Sequence, residues 1–432
     1  MLAVKILIKG GTVFDPSAGT LRDLDVLIED ARVIKVESGI SGRGATVLDA
    51  SGMLVSPGLI DMHVHLREPG YEYKETIATG TAAALSGGFT AVAAMPNTNP
   101  VADNPAIIEF IRKQAAAAAN ARVYPVGAIT RGLEGNELAE MGEMHAAGAL
   151  AFSNDGRPVV SAGVMRRAMQ YARMVGVPII SHCEDDTLVD GGVMSEGLTA
   201  SVLGLKGIPA AAEEVIVARD LLLAETTGCA LHVAHVSTAG SVRLIREAKR
   251  RGVPVTAEAT AHHFVLTDEA VAGYNTSAKV NPPLRSRTDV QAVLEGLADG
   301  SIDVIASDHA PHADYEKAVE FDQAAMGLVG LETTLGLVFT YLVEPGVLTA
   351  AEALTRLTAN PARILGLPET VLKPGAVADI TVIDTHCEWE VDPNRFLSKS
   401  QNTPFAGFKL RGQAVATIVA GKIRKHSGVR SQ

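Results

Sequence analysis

From about residue 57 to residue 312 the chain alternates short apolar runs with longer alanine-rich, amphipathic stretches. The runs are LIDMHVHL (59–66), TAVAAMPNT (90–98), ARVYPVGAIT (121–130), ALAFSND (149–155), VPIISHCED (177–185), ALHVAHVST (230–238), VPVTAEAT (253–260) and IDVIASDHAPH (302–312). Their length, their β-branched residues and the Gly and Pro that bound them predict buried strands. The segments 75–86, 104–119, 136–147, 162–175, 210–227, 239–251 and 287–299 carry helical spacing and end close to Gly or Asn. Strands that alternate with helices pair in parallel, and eight such units close a (β/α)8 barrel. An open doubly wound sheet is the alternative, but the Gly-rich phosphate turn expected after its first strand is missing.

Outside this span the pattern changes. Residues 4–56 read as short strands joined by Gly and Asp turns, and the style resumes from about 374 with AVADITVID, CEWEVD and FKLRGQAVATIVAGKI. Each end alone has too few strands to be stable. The expectation is therefore an α/β chain with a TIM barrel over 57–366 and one small β-sandwich domain made from 1–56 and 367–432.

Composition narrows the function. At 432 residues with 47% apolar content, a barrel plus an accessory domain can bury a large core. The net charge of −11 and the dispersed basic residues argue against a nucleic-acid partner. No unbroken apolar window of about 20 residues and no signal-peptide pattern is present, which predicts a soluble, cytoplasmic protein without a membrane partner. Cys183, Cys229 and Cys387 are odd in number and widely spaced, which suits a reducing compartment.

The chemistry is expected where barrel strands end. On the first run, strand alternation puts Asp61, His63 and His65 on one face and Met62 and Val64 on the other. Two imidazoles on one strand are half of a tetrahedral site, though two structural histidines would read the same way. Other strand ends tip the balance. The fourth run ends at Asp155, the fifth brings His182 onto the face of Pro178 and Ile180, and the eighth aligns Val304, Ala306 and Asp308. On the sixth, alternation allows only one of His232 and His235 to look inward, and His235 is taken. Six such groups on one axis would be costly to bury without a cation. They suit two ions sharing a bridge: His63, His65 and Asp308 for one, His182 and His235 for the other, Asp155 between them. Water on such a pair becomes a hydroxide nucleophile near neutral pH, with Asp308 as the general base that later protonates a leaving nitrogen.

The motifs DMHVHLREPG, MPNTNP, AFSNDG, SHCED, HVAHVST, NPPLR and SDHAPH, in this order, resemble the amidohydrolase superfamily and, within it, the class I bacterial dihydroorotases. The resemblance implies a zinc centre of one or two ions, two favoured. It also implies reversible cyclisation of N-carbamoyl-L-aspartate to L-dihydroorotate in pyrimidine synthesis. By the same resemblance His65, Arg67, Asn97, Asn281 and His312 contact substrate, and Met326 and Gly327 in FDQAAMGLVGLETT touch the ring. An arginine near the metals also makes independent sense, because the substrate is an anion in an acidic protein, and Arg67, two residues beyond His65, shares its face if the strand continues. Many binuclear members of the superfamily bridge their ions with a carboxylated lysine after the fourth strand; ALAFSND offers only Asp155.

Two other readings stay open at this point. A hydantoinase or allantoinase would act on a different cyclic ureide, and a noncatalytic homologue would serve as a partner of aspartate transcarbamoylase. A homodimer and association with aspartate transcarbamoylase are expected by resemblance alone.

Overall fold

The computed structural model describes residues 5–427. Eight parallel strands form its central sheet: β1 (Leu59–Val64), β2 (Phe89–Ala94), β3 (Arg122–Ala128), β4 (Ala151–Ser153), β5 (Ile179–Ser181), β6 (Leu231–Val233), β7 (Val255–Thr260) and β8 (Val304–Ala306). They are ordered from β8 back to β1 without a crossover. Just beyond the two outer strands a parallel bridge between Val64 and His309 brings the edges together, and the His65 amide donates to the His309 carbonyl at 2.8 Å. The sheet is thus a nearly closed barrel.

Seven helices match the expected segments, though the third starts only at 141 and not at 136: α1 (Ile77–Gly87), α2 (Pro105–Ala118), α3 (Met141–Ala147), α4 (Ala162–Val175), α5 (Ala211–Thr227), α6 (Ala239–Arg250) and α7 (Arg287–Asp299). Side chains of Asn104, Ser161, Thr238 and Ser286 accept from the free amides at the starts of α2, α4, α6 and α7. At the end of α5 the left-handed Gly228, at φ 67°, lets its amide return to Ala224.

Burial separates the two faces of the barrel wall. Phe89, Phe152, Ile179, Leu231, Val233 and Ile305 pack outward in the large core shared with the helices. Met62, Ala93, Val126, Ala151, Ile180, Ala234 and Val304, from seven of the eight strand segments, form a small cluster of their own inside. Ile60, Ala91 and Ala362 make a further small cluster, with Leu367 packed against both it and the inner one, so the 362–367 segment closes the floor. One expectation fails here. Met62 and Val64 do not share a face: Met62 packs in the lumen and Val64 in the outer core. The pairing of β1 with β2 shifts register between Asp61 and Val64, so simple alternation stops before the strand does.

The termini join in one sheet, in the order 422–426, 409–419, 380–390, 54–57, 5–15, 20–29, 32–37, with 46–49 paired beside 5–15. The seam is antiparallel, with Val55 opposite Val382 and Leu54 opposite Ile383. Ile6, Ile8, Val26, Ile28, Val55, Ile380, Val382 and Ile418 bury its apolar face. Three side chains from the C-terminal strands donate to carbonyls at the end of α1: Thr417 to Leu85 at 2.9 Å, Lys425 to Ser86, and Thr381 to Gly88 at 2.7 Å. Among the described residues, no helix is long and apolar enough to cross a membrane.

Candidate metal centre

Each expected ligand sits at or just past the C-terminal end of a barrel strand. His63 is the penultimate residue of β1, and His65 and Arg67 follow it. Asp155 lies beyond β4, His182 beyond β5, His235 beyond β6 and Asp308 beyond β8. The last two arrive by a route that alternation does not describe. His235 has φ 32° and Asp308 φ 47°, left-handed conformations that are uncommon for side-chain-bearing residues and cluster at functional sites. In β6, Leu231 and Val233 pack outward, so His232 is the one that points into the lumen by alternation. The left-handed turn then brings His235 inward as well. The expectation that only one of the two could face the axis is corrected by this turn.

The side chains converge tightly. Around Asp155, Oδ1 lies 3.3 Å from His63 Nε2, 3.3 Å from His235 Nε2 and 3.5 Å from His182 Nδ1, while Oδ2 lies 3.4 Å from His65 Nε2. Two groups able to hold a metal ion share this carboxylate: His63, His65 and Asp155, and Asp155, His182 and His235. Asp308 Oδ1 is 3.0 Å from His65 Nε2 and 3.6 Å from His63 Nε2. All six residues are buried.

The opposite nitrogens are held by other residues. His63 Nδ1 meets Glu258 Oε1 at 2.5 Å, His65 Nδ1 meets Asn97 Oδ1 at 2.9 Å, and His182 Nε2 meets Glu184 Oε2 at 3.3 Å. A carboxylate only accepts, so His63 carries a proton on Nδ1 and turns its Nε2 inward. That Nε2 is fully buried and has no hydrogen-bond partner. An orphaned imidazole nitrogen beside two carboxylates and three further imidazoles belongs to the donor set a divalent cation fits.

Glu258 went unrecognised in the sequence. Lying within β7, it also accepts from the His235 amide at 3.3 Å and meets His232 Nε2 at 3.1 Å, so one carboxylate touches ligands of both groups. The only hint was a carboxylate inside an otherwise small and apolar run. Glu184 was missed too; it lies between His182 and Asn281, whose Nδ2 donates to it at 3.1 Å.

Electrostatics point the same way. Burial opposes charge on His63, yet Asp155, Glu258 and Asp308 hold its pKa well above the usual imidazole value. Burial likewise opposes charge on His182, but Asp155 and Glu184 bring it to about 10. Burial would raise the Glu258 carboxyl; His63 and His232 bring it down to about 2. The carboxylates thus create a site that demands positive charge.

A second cluster lies beside the first. The strand does not continue through Arg67, as the same-face expectation required; Arg67 is left-handed at φ 61°. It is nevertheless buried, with Nε donating to the Pro311 carbonyl at 3.1 Å and Nη2 3.3 Å from His312 Nε2. His312 Nε2 is also 2.9 Å from the Met326 carbonyl. Burial and the cations Arg67, Lys74 and Lys317 push His312 down to about 2, so the ring is neutral. The carbonyl can only accept, which puts the proton on Nε2 and leaves the Arg67 Nη2 hydrogens uncommitted to the ring. Gly327, at φ 137°, passes so close that a Cβ would stand 2.8 Å from the Ala310 carbonyl and 3.1 Å from His312 Nε2. Asn281 sits across the centre at Glu184, with its buried Oδ1 unpartnered. Asn97 is placed against His65.

The remaining histidines near the centre are engaged elsewhere. His309 meets Glu75 at 3.3 Å, and Thr260 reaches both His262 and His263.

Comparison with known proteins follows the same lines. A family profile described as Dihydro-orotase-like matches residues 52–241. A protein named dihydroorotase from Pelotomaculum thermopropionicum is 64% identical over 420 residues, spanning 97% of this chain and 98% of its own. One of the same name from Acetivibrio thermocellus is 53% identical over 418 residues, again 97% and 98%. Among solved structures, L-hydantoinase (dihydropyrimidinase) from Arthrobacter aurescens superposes with a TM-score of 0.88 at 26% identity, covering 98% of this chain and 97% of that one.

Proposed function

The chain belongs to the dihydroorotase family of cyclic-amide hydrolases, and from that premise we propose that it interconverts N-carbamoyl-L-aspartate and L-dihydroorotate at a binuclear zinc centre. His63, His65, Asp155, His182 and His235 would hold the ions, with Asp155 shared and Asp308 completing the His63 side. Bound there, zinc supplies positive charge that polarises the scissile carbonyl and acidifies the attacking water.

The chain's own residues do the rest. In the hydrolytic direction the water oxygen adds to the ring carbonyl, Asp308 takes the water's proton, and the C–N bond breaks as Asp308 returns that proton to the leaving nitrogen. Burial works against ionised Asp308, but His63 and His65 hold its carboxyl far below the usual range, so it begins as a base. Cyclisation runs the same steps backwards. Arg67, fixed at its Nε by the Pro311 carbonyl, takes the substrate carboxylate. His312 fixes the Met326 carbonyl beside it, and Gly327 lets the backbone approach the ring. Asn281 Oδ1 is a free acceptor for a ureide N–H. Asn97 commits its oxygen to His65, which leaves its amide nitrogen as the donor to substrate.

The observation that carries this reading is the Asp308 carboxylate 3.0 Å from His65 Nε2, at the edge of a histidine-rich cluster and beside a buried arginine. Assays of the purified protein on L-dihydroorotate, hydantoin and allantoin, with elemental analysis of the same sample, test it. Preference for hydantoin or allantoin would replace the substrate assignment, and zinc without turnover would favour a noncatalytic role. We also propose a cytoplasmic location and, by resemblance, a homodimer that can associate with aspartate transcarbamoylase. Sedimentation of the protein alone and mixed with that enzyme tests both assemblies.

A further inference from the structure

Lys317 belongs neither to the metal cluster nor to the substrate contacts named above, yet it is 6% exposed. Its ammonium donates to three main-chain carbonyls: Ala325 at 2.7 Å, Gly327 at 2.9 Å and Lys279 at 3.3 Å. An ammonium has three donors and no acceptor, so these carbonyls use all of it. Burying such a charge is unfavourable unless every donor is met, and an apolar side chain would fill the same space without that cost. What the charge provides is a fixed separation between three pieces of backbone.

Those pieces are the ones that carry the candidate substrate contacts. Lys279 lies two residues before Asn281, Ala325 and Gly327 bracket Met326, and Lys317 ends the short helix Asp314–Lys317 that follows His312. The Gly327 amide donates to the same Lys279 carbonyl at 2.9 Å, and Asn402 Nδ2 donates to the Gly327 carbonyl at 3.0 Å. Lys279 itself turns its ammonium away, to the Asp322 carbonyl at 3.0 Å. One buried lysine therefore ties the loop that presents the Met326 carbonyl to the irregular segment that presents Asn281.

We propose that Lys317 is a positioning residue that holds the 325–327 backbone and the Asn281 segment at the spacing the substrate ring requires. Its loss then weakens substrate binding while the bond-making step at Asp308 and the metals is kept. A loop held in its bound geometry saves the ordering cost on binding, and that saving is what the variant gives up. The inference rests on the substrate contacts assigned under the proposed function.

The test compares wild type with Lys317→Met, which keeps the length and removes the donors, and Lys317→Arg, which keeps the charge. In the metal-loaded enzyme, KM for L-dihydroorotate should rise about tenfold in the Met variant with kcat within about threefold, and the Arg variant should recover part of the loss. Bound metal should be unchanged, and amide exchange across 325–327 should speed up. An unchanged KM, or a fall in kcat at constant KM, overturns the proposal. If the Met variant does not fold, Lys317→Gln, with one donor retained, takes its place under the same criteria. Wild type separates this from the premise: if it does not hydrolyse dihydroorotate, the substrate assignment fails, whereas exchange across 325–327 still reports whether Lys317 holds the loop.

Discussion

The mouth of the barrel and the sheet made by the two termini are both buried, and they are built in opposite ways. The terminal sheet is long, paired strand by strand, and filled with residues such as Ile8, Val26, Val55, Ile380 and Ile418 whose positions follow from alternation. The mouth begins where regular pairing ends. Its residues are imidazoles, carboxylates and a guanidinium on short strand exits, and three of them, Arg67, His235 and Asp308, adopt left-handed backbone. The sheet converts apolar area into stability. The mouth concentrates uncompensated donors and accepts local strain, which is tolerable because the barrel and sheet around it fix the frame.

The comparison breaks if a mouth residue behaves like a sheet residue. Asp308→Asn should lower kcat for dihydroorotate about a thousandfold with little change in melting temperature, because it removes a proton carrier and not packing. Steady-state kinetics beside calorimetry would show it; near-wild-type turnover would remove Asp308 from its role. The converse substitution is Ile380→Ala in the sheet. It should cost about 2–5 kcal/mol in denaturant unfolding while leaving kcat and bound metal unchanged. A loss of metal in that variant would mean that the two regions are not separable.

Glu258→Gln probes the boundary between them. A glutamine can accept from His63 Nδ1 or His232 with its oxygen, but its NH2 group then faces the other donors. Metal affinity by chelator competition should weaken about 10–100-fold, with activity recovering at saturating metal. Unaltered affinity would assign Glu258 to packing alone.

The smallest effect is in the sheet. Burial brings Lys425 down to about 8, below its unfolded value. The folded state then binds fewer protons than the unfolded one, so this group's contribution to stability rises with pH from about 8 toward the unfolded pKa. Between pH 7 and 8 the gain is about 0.3 kcal/mol. Comparing wild type with Lys425→Met isolates it; equal pH slopes would mean that Lys425 is not depressed.

The same contrast explains what could be read in the chain before its fold was seen. Alternating strands and helices announced the barrel, and metal-type residues inside apolar runs announced His63, His65, Asp155, His182, His235 and Asp308 as candidates. Alternation went wrong where regular backbone stopped. It assigned Met62 and Val64 to one face, carried the strand through Arg67, and allowed only one of His232 and His235 to face the axis. A left-handed residue or a register shift has no sequence period, so nothing in the spacing marks it. Glu258 and Lys317 were hidden for another reason. Their partners are ring nitrogens and carbonyls that only the fold brings together, and a lone carboxylate in a strand or a lone lysine at the end of a short helix has no local pattern.

The central claim is that six side chains from five strand ends, Asp155 shared among them, hold the ions on which turnover depends. The most direct test strips the protein with a chelator and titrates zinc back while measuring dihydroorotate hydrolysis and bound metal together. The account predicts that activity vanishes on stripping and returns as the chain fills to about two ions, and that His63→Ala and His235→Ala each bind less metal. Hydrolysis that persists at full rate in the stripped protein would contradict it.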